Sequence, residues 1–174
     1  MSMTLRLTVL SNPTSDIQYL DALFALAERA QQASPHLYPN GRDFYERNLQ
    51  GATVNVLAFD GERLIGYAAL RTMEPWPAYL DAPQYPPAQC ALMLLNLVDP
   101  DYRGQGVGHR LALARIKAAR ARGFRHLFAT VHPDNHASMK VLERQGFRLI
   151  AQRPMFTEQL LRNLMQKDLD QAVA

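Results

Sequence analysis

Residues 99–111 read DPDYRGQGVGHRL. Gly104, Gly106 and Gly108 alternate with other residues between Arg103 and Arg110, and the segment runs into a stretch of helical periodicity. Glycine is a poor helix and strand former, so three of them at the mouth of a helix need a reason. A helix N-terminus presents unpaired N–H groups and roughly half a positive charge. Without a Cβ, the backbone there can approach an oxyanion closely, so strand, glycine-rich turn and helix together form an anion cradle. Spacing separates the sites that use this physics. A phosphate loop of the kinase type needs Lys-Ser/Thr after its last glycine, and here His109-Arg110 follow Gly108. A dinucleotide fingerprint needs G-x-G-x-x-G, whereas the spacing here is G-x-G-x-G. The pattern Arg/Gln-x-x-Gly-x-Gly/Ala is met at every place by Arg103, Gly104, Gln105, Gly106, Val107 and Gly108.

Outward from the glycines, CALMLLNLV (90–98) is a continuous apolar run, as in a strand buried on both faces. After the glycines, Val107, Leu111, Ala114, Ala118 and Ala121 trace one stripe of a helix that ends before Gly123. FRHLFATVH (124–132) reads as a strand, DNHASMKVLERQ (134–145) as a helix stopped by Gly146, and FRLIAQR (147–153) as another strand. The tail EQLLRNLMQKDL (158–169) fits either a helix or a last strand. Upstream, TLRLTVL (4–10) alternates like a strand, and Ser15 with Gln18 forms a capping box for a helix running to about Ala33. DFYERNL (43–49) reads as a short second helix. The two β-rich runs around Asp60-Gly61 read as a hairpin. EPWPAYLDAPQYPPAQ (74–89) is too rich in proline for a helix or a central strand, and Trp76, Tyr79 and Tyr85 make it a candidate wall for a substrate.

The chain has 174 residues, 48% of them hydrophobic, which suits one domain, residues 1–174, with a core of its own. A net charge of +3 is too mild to argue for nucleic acid. Its distribution says more. No Asp or Glu lies between Asp101 and Asp134, while Arg103, Arg110, Arg115, Lys117, Arg120, Arg122 and Arg125 all do. That field suits an anionic ligand. Cys90 is the one cysteine, so no internal disulfide forms, and its apolar neighbours mark a buried thiol rather than a nucleophile. No metal-ligand spacing is present; His132 and His136 stand four apart, but Pro133 breaks the helix between them. The opening MSMTLRLTVL lacks a cleavage site, and no apolar run is long enough to span a bilayer, so the expected location is the cytoplasm.

The Arg103–Gly108 motif followed by TVHPDNHAS and LERQGF resembles the GNAT superfamily of acetyl-CoA-dependent N-acetyltransferases, most closely over Leu92–Ile150. The resemblance implies a single α/β domain (core motif region 91–150) with a mixed, mostly antiparallel central sheet, whose fourth and fifth strands splay apart between flanking helices. It implies that acetyl-CoA is the co-substrate and that no metal takes part. Asn96, Leu97 and Val98 would offer the backbone edge to the pantetheine arm, and Arg103–Gly108 would seat the pyrophosphate. Arg110 and its basic neighbours would meet the adenosine phosphate. Asn135 matches the family's asparagine beside the CoA arm; helix capping is the other role an asparagine serves there, and the two are compatible. In the family an amine attacks the thioester carbonyl directly, through a tetrahedral intermediate, with the strand amide near Val98 polarising the carbonyl.

The chain departs from the common pattern at Leu142, where many members carry a tyrosine acid. The N-x-x-S of Asn135–Ser138 instead resembles the branch that includes the ribosomal-protein N-terminal acetyltransferases, which makes Ser138 the candidate thiol-side residue. The base is open between Glu74, which leads, Glu46, His132 and a water chain. The acceptor is an amine on a small molecule or a peptide, and the resemblance allows a homodimer. The absent tyrosine and the apolar fourth strand also fit a second reading, a non-catalytic acyl-CoA-binding or sensory module on the same fold.

Overall fold

The computed structural model describes residues 3–10 and 16–169. Seven strands form one mixed sheet: β1 (Leu5–Leu10), β2 (Val54–Asp60), β3 (Arg63–Thr72), β4 (Cys90–Val98), β5 (His126–Val131), β6 (Arg148–Met155) and β7 (Leu160–Asp168). Their spatial order is β1-β2-β3-β4-β5-β7-β6. Four helices flank them: α1 (Leu20–Ala33), α2 (Arg42–Gln50), α3 (Val107–Ala121) and α4 (His136–Arg144). The parallel pair is β4 with β5, at Cys90↔His126, Ala91↔Leu127 and Leu92↔Phe128. Their register stops there, although β4 continues to Val98 and β5 to Val131, and this is the splay expected of these strands.

The chain divides into two compact units, residues 1–70 with 94–116 and residues 71–93 with 117–174. In the first, β1 and β2 pair from Leu5↔Asp60 to Leu10↔Asn55, and β2 and β3 form the expected hairpin, closed at Asp60↔Arg63 by Gly61 (φ 59°). Alternation along β2 divides its side chains between two faces. Leu57 and Phe59 pack with Leu23, Leu26 and Ala27 of α1 and with Tyr45 and Leu49 of α2. Val56 and Ala58 pack with Ile65 and with Val107 and Leu111 of α3. Leu23, Leu26, Leu57 and Leu111 are wholly buried, each burial contributing about 2 kcal/mol. Gly66 permits the approach of α3: a Cβ there would meet Val107, Ala58 and Leu111 at 3.0–3.1 Å. Ser15 lies outside the described residues, so the capping box is not seen; the chain enters α1 through a 3-10 turn, Ile17–Tyr19.

In the second unit, β5 and β7 pair over six residues, and β6 and β7 form a hairpin from Arg148↔Gln166 to Met155↔Leu160. The ambiguous tail is therefore a strand. The hairpin partner Arg148–Met155 gives EQLLRNLMQKDL backbone bonds on one side and β5 gives them on the other, which a helix would forgo. Residues 74–89 form the expected irregular connection, ending in a 3-10 turn at Pro87–Gln89. All three of its aromatic residues are engaged within the unit. Trp76 packs edge-on against Phe128 at 5.8 Å and donates Nε1–H to the Asp81 carbonyl at 2.7 Å. Tyr79 lies against Phe156 at 4.8 Å, and Tyr85 stacks on His126 at 3.7 Å. Asp81 pairs with Arg153. Cys90 is buried, as expected, and burial pushes its thiol up to about 11.

The helical stripe differs from its expected form at two positions. Ala121 is exposed, because it lies in the last turn of α3, ahead of the chain reversal at Gly123 (φ 79°). Arg115, counted among the cations available to a ligand, is buried at 2% exposure.

Candidate active site

The segment 99–108 is built on Asp99. Its carboxylate is 1% exposed and takes Arg29 Nη2 at 3.1 Å and Arg63 Nη2 at 3.0 Å. Its other oxygen accepts the Asp101 N–H at 3.0 Å, and its own N–H donates to the Ile65 carbonyl at 2.8 Å. The end of β4 is thereby tied to β3 and α1, and a 3-10 turn, Pro100–Tyr102, leads into the glycines. Tyr102 closes the turn by donating its hydroxyl to Asp60 at 2.7 Å.

The three glycines serve two purposes. Gly104 (φ 76°) and Gly106 (φ 81°) adopt left-handed backbone, and a Cβ at either would meet nothing within 4 Å. What they supply is conformation: left-handed backbone at both positions carries the chain through an exposed bend into α3. Gly108 lies in the first turn of α3 and supplies clearance, since a Cβ would sit 3.0 Å from Asn96 Nδ2. Arg103, Gln105, His109 and Arg110 are exposed, while Val107 is buried and anchors the helix.

Asn96, Leu97 and Val98 lie on the last part of β4, beyond its pairing with β5. Leu97 is buried in the first unit's core, whereas Asn96 and Val98 are half-buried. The Asn96 amide donates to the Gly108 carbonyl at 3.5 Å, which places β4 against the start of α3. Its Oδ1 is buried without a hydrogen-bond partner. An orphaned acceptor of this kind fits an amide-bearing ligand running along the strand. β4 is also not uniformly buried, as its apolar run suggests: Cys90–Met93 are buried, and Leu94–Asn96 are half-exposed where pairing with β5 has ended.

Asn135 and Ser138 come together in the second unit. Asn135 is the N-cap of α4, its side-chain oxygen accepting the Ser138 N–H at 3.2 Å. The asparagine oxygen is thus committed to the helix, which leaves the Asn135 Nδ2 protons for other partners. The Ser138 side chain is half-buried, and its hydroxyl makes no hydrogen bond among the described residues.

The three base candidates lie on different segments of the chain. Glu74 is exposed at the start of the long connection, its N–H donating to Thr72 Oγ1 at 3.3 Å. Glu46 is half-buried on α2. His132 follows β5, and its Nδ1 accepts the Asp134 N–H at 3.0 Å. A neutral imidazole has one lone-pair nitrogen, and here it is already occupied, which weighs against His132 as a base. Among the described residues no group of three or more His, Cys, Asp or Glu fits a metal ion, and no helix is long and apolar enough to cross a membrane.

The structural roles of two residues in this region were not apparent from the sequence. Asp99 was visible only as a flank of the motif. Arg115 had a signal: it lies four residues after Leu111 and three before Ala118, on the apolar stripe itself.

Comparison with known proteins agrees with this architecture. A family model described as "Acetyltransferase (GNAT) family" matches residues 20–147. The L-methionine sulfoximine/L-methionine sulfone acetyltransferase of Pseudomonas aeruginosa is 28% identical over 131 residues, 73% of this chain and 71% of that protein. Among solved structures, the ribosomal-protein-S18-alanine N-acetyltransferase from Escherichia coli superposes with a TM-score of 0.71 at 21% identity, covering 97% of this chain and 96% of that one. A candidate acetyltransferase from Salmonella typhimurium, solved with its cofactor acetyl-CoA, superposes with a TM-score of 0.69 at 20% identity and the same coverage.

Proposed function

This chain belongs to the GNAT acetyltransferase family, and on that premise we propose that it moves an acetyl group from acetyl-CoA to a primary amine by direct attack on the thioester. The observation that carries the reading is the exposed bend with left-handed backbone at Gly104 and Gly106, opening onto α3. Backbone amides freed by left-handed glycines at a helix N-terminus suit a pyrophosphate. The basic run that follows, Arg110 in particular, extends that attraction toward a further phosphate.

In this reading Arg103–Gly108 seat the pyrophosphate, and Asn96, Leu97 and Val98 offer their edge to the pantetheine arm, with the orphaned Asn96 oxygen as an added acceptor. The amide near Val98 donates to the thioester carbonyl as negative charge builds on its oxygen. Asn135, through Nδ2, contacts the arm while its oxygen caps α4. The Ser138 hydroxyl, without a partner of its own, donates to the departing thiolate. An ammonium acceptor must lose a proton before it attacks, and Glu74, exposed at the mouth of the long connection, takes it directly or through water. No enzyme nucleophile is required, in keeping with the buried, high-pKa Cys90.

The curated relative acts on amino-acid analogues, so small amines of that kind head the list of acceptors, ahead of peptide N-termini. Purified chain, acetyl-CoA and a panel of amino acids, amino-acid analogues, polyamines and short peptides should release free thiol in proportion to enzyme for at least one acceptor. Thiol release at the buffer rate across the panel, with acetyl-CoA bound, would favour the acyl-CoA-binding module instead.

A further inference from the structure

Arg115 is buried at 2% exposure, and no carboxylate pairs with it among the described residues. Burial pushes its guanidinium down to about 9, so it is a cation at neutral pH. The two protons of Nη1 are shared among three backbone carbonyls: Ala69 at 3.2 Å, Leu94 at 3.0 Å and Leu95 at 2.8 Å. Nε has no partner. An uncompensated buried charge is expensive, and an apolar side chain would complete the stripe of α3 at far lower cost. The cation is therefore explained by the carbonyls it serves.

Those carbonyls have an unusual relationship. Successive carbonyls of an extended strand point to opposite sides, so one nitrogen does not reach two in a row. Here it does, because Leu95 adopts φ 51° in the middle of β4. A left-handed leucine inside a strand is strained and persists only where surrounding groups hold it. Arg115 does so from α3, gathering the carbonyls of Leu94 and Leu95 together with that of Ala69 on β3. Asn96, Leu97 and Val98 follow immediately on the same strand.

We infer that Arg115 is a positioning residue for acetyl transfer: it fixes the left-handed backbone of Leu95 within β4 and thereby aims the Asn96–Val98 backbone at the acyl donor. The inference rests on the proposed use of that backbone by acetyl-CoA. A guanidinium suits the task better than an ammonium, because its planar fork is held by its own rigidity once packed, whereas lysine places a single mobile point charge.

The test compares the wild-type chain with R115M, R115Q and R115K. Thermal melts monitor folding, calorimetry gives acetyl-CoA affinity, and thiol release with the best acceptor of the panel gives kcat and KM. R115M is expected to melt cooperatively, to lose kcat by roughly tenfold or more and to bind acetyl-CoA several-fold more weakly, with the KM for the amine unchanged. R115K should recover part of kcat, since it returns a charged donor to the carbonyls. If R115M does not fold, R115Q carries the same expectation. Wild-type kcat in a folded R115M or R115Q overturns the inference, as does a loss confined to the amine KM. Failure of both neutral variants to fold also overturns it, because the role would then be stability. A wild-type chain that neither binds acetyl-CoA nor releases thiol overturns the donor reading, and this inference with it; equal turnover by wild type and R115M overturns this inference alone.

Discussion

Asp99 joins two arginines on one carboxylate that is 1% exposed, and it does so at the junction of β4 and the glycine turn. Removing a charge from a buried pair usually costs several kcal/mol, because the partners left behind are uncompensated. Arg29 and Arg63 are 39% and 49% exposed, so water would take over part of their solvation. Asp99→Asn should therefore lower stability by about 2 kcal/mol, less than the loss of a fully buried pair. It should also weaken acetyl-CoA binding, since the turn at Pro100–Tyr102 hangs from this side chain. Chemical denaturation and calorimetry on the same variant would check both effects; an unchanged denaturation midpoint would show that the cluster is not the anchor described. Arg115 and Asp99 share a lesson. Sequence spacing tells which face of a helix a residue occupies, but not whether a charge on the buried face will meet backbone carbonyls there. That depended on Leu95, an ordinary leucine whose left-handed conformation no local pattern announces.

At the scale of elements, the glycine turn was legible because its chemistry is local. Backbone freedom and helix polarity follow from residue types and their order, and Gly104 and Gly106 have the left-handed φ that the motif requires. The β2–β3 hairpin, α1 and α2 were legible for the same reason, with Asp60-Gly61 as the turn and a 3.6-residue period as the helix signal. The β7 tail was not legible, because partners as far as 42 residues away decide whether such a run is paired. The long connection was read correctly as irregular, but the work of its aromatic residues was hidden. Trp76, Tyr79 and Tyr85 meet Phe128, Phe156 and His126, all distant in sequence. The glycines make a clear contrast in substitution. Gly106→Ala fits sterically but must carry φ 81°, at a cost of about 1 kcal/mol or a reoriented loop. It should weaken acetyl-CoA binding about tenfold with little change in melting temperature. Gly108→Ala has ordinary φ, and its one tight contact is with the Asn96 amide at 3.0 Å, which can shift, so its affinity should fall less. The opposite ranking, measured by calorimetry, would argue that the turn does not present its amides to the donor.

At the scale of the whole molecule, a net charge of +3 conceals a segment without acids from Tyr102 to Pro133, and that segment contains the glycine turn and all of α3. Its exposed arginines remain available to an anionic ligand, whereas Arg115 is withdrawn from that role. The family match over residues 20–147 and the seven-stranded sheet with its short β4–β5 register agree on an acetyltransferase fold. The catalytic groups were less legible than the donor site, because acid and base roles depend on what each side chain already bonds. His132 spends its Nδ1 on the Asp134 N–H, while the Ser138 hydroxyl is uncommitted. The most direct measurement of the central claim supplies acetyl-CoA deuterated in the acetyl group together with the best amine acceptor, quenches during turnover, and weighs both the small molecules and the intact protein. The account predicts the labelled acetyl group on the acceptor nitrogen and none on the protein, with Cys90 unmodified. Label held covalently by the protein, or bound acetyl-CoA that never passes its label to an amine, would contradict it.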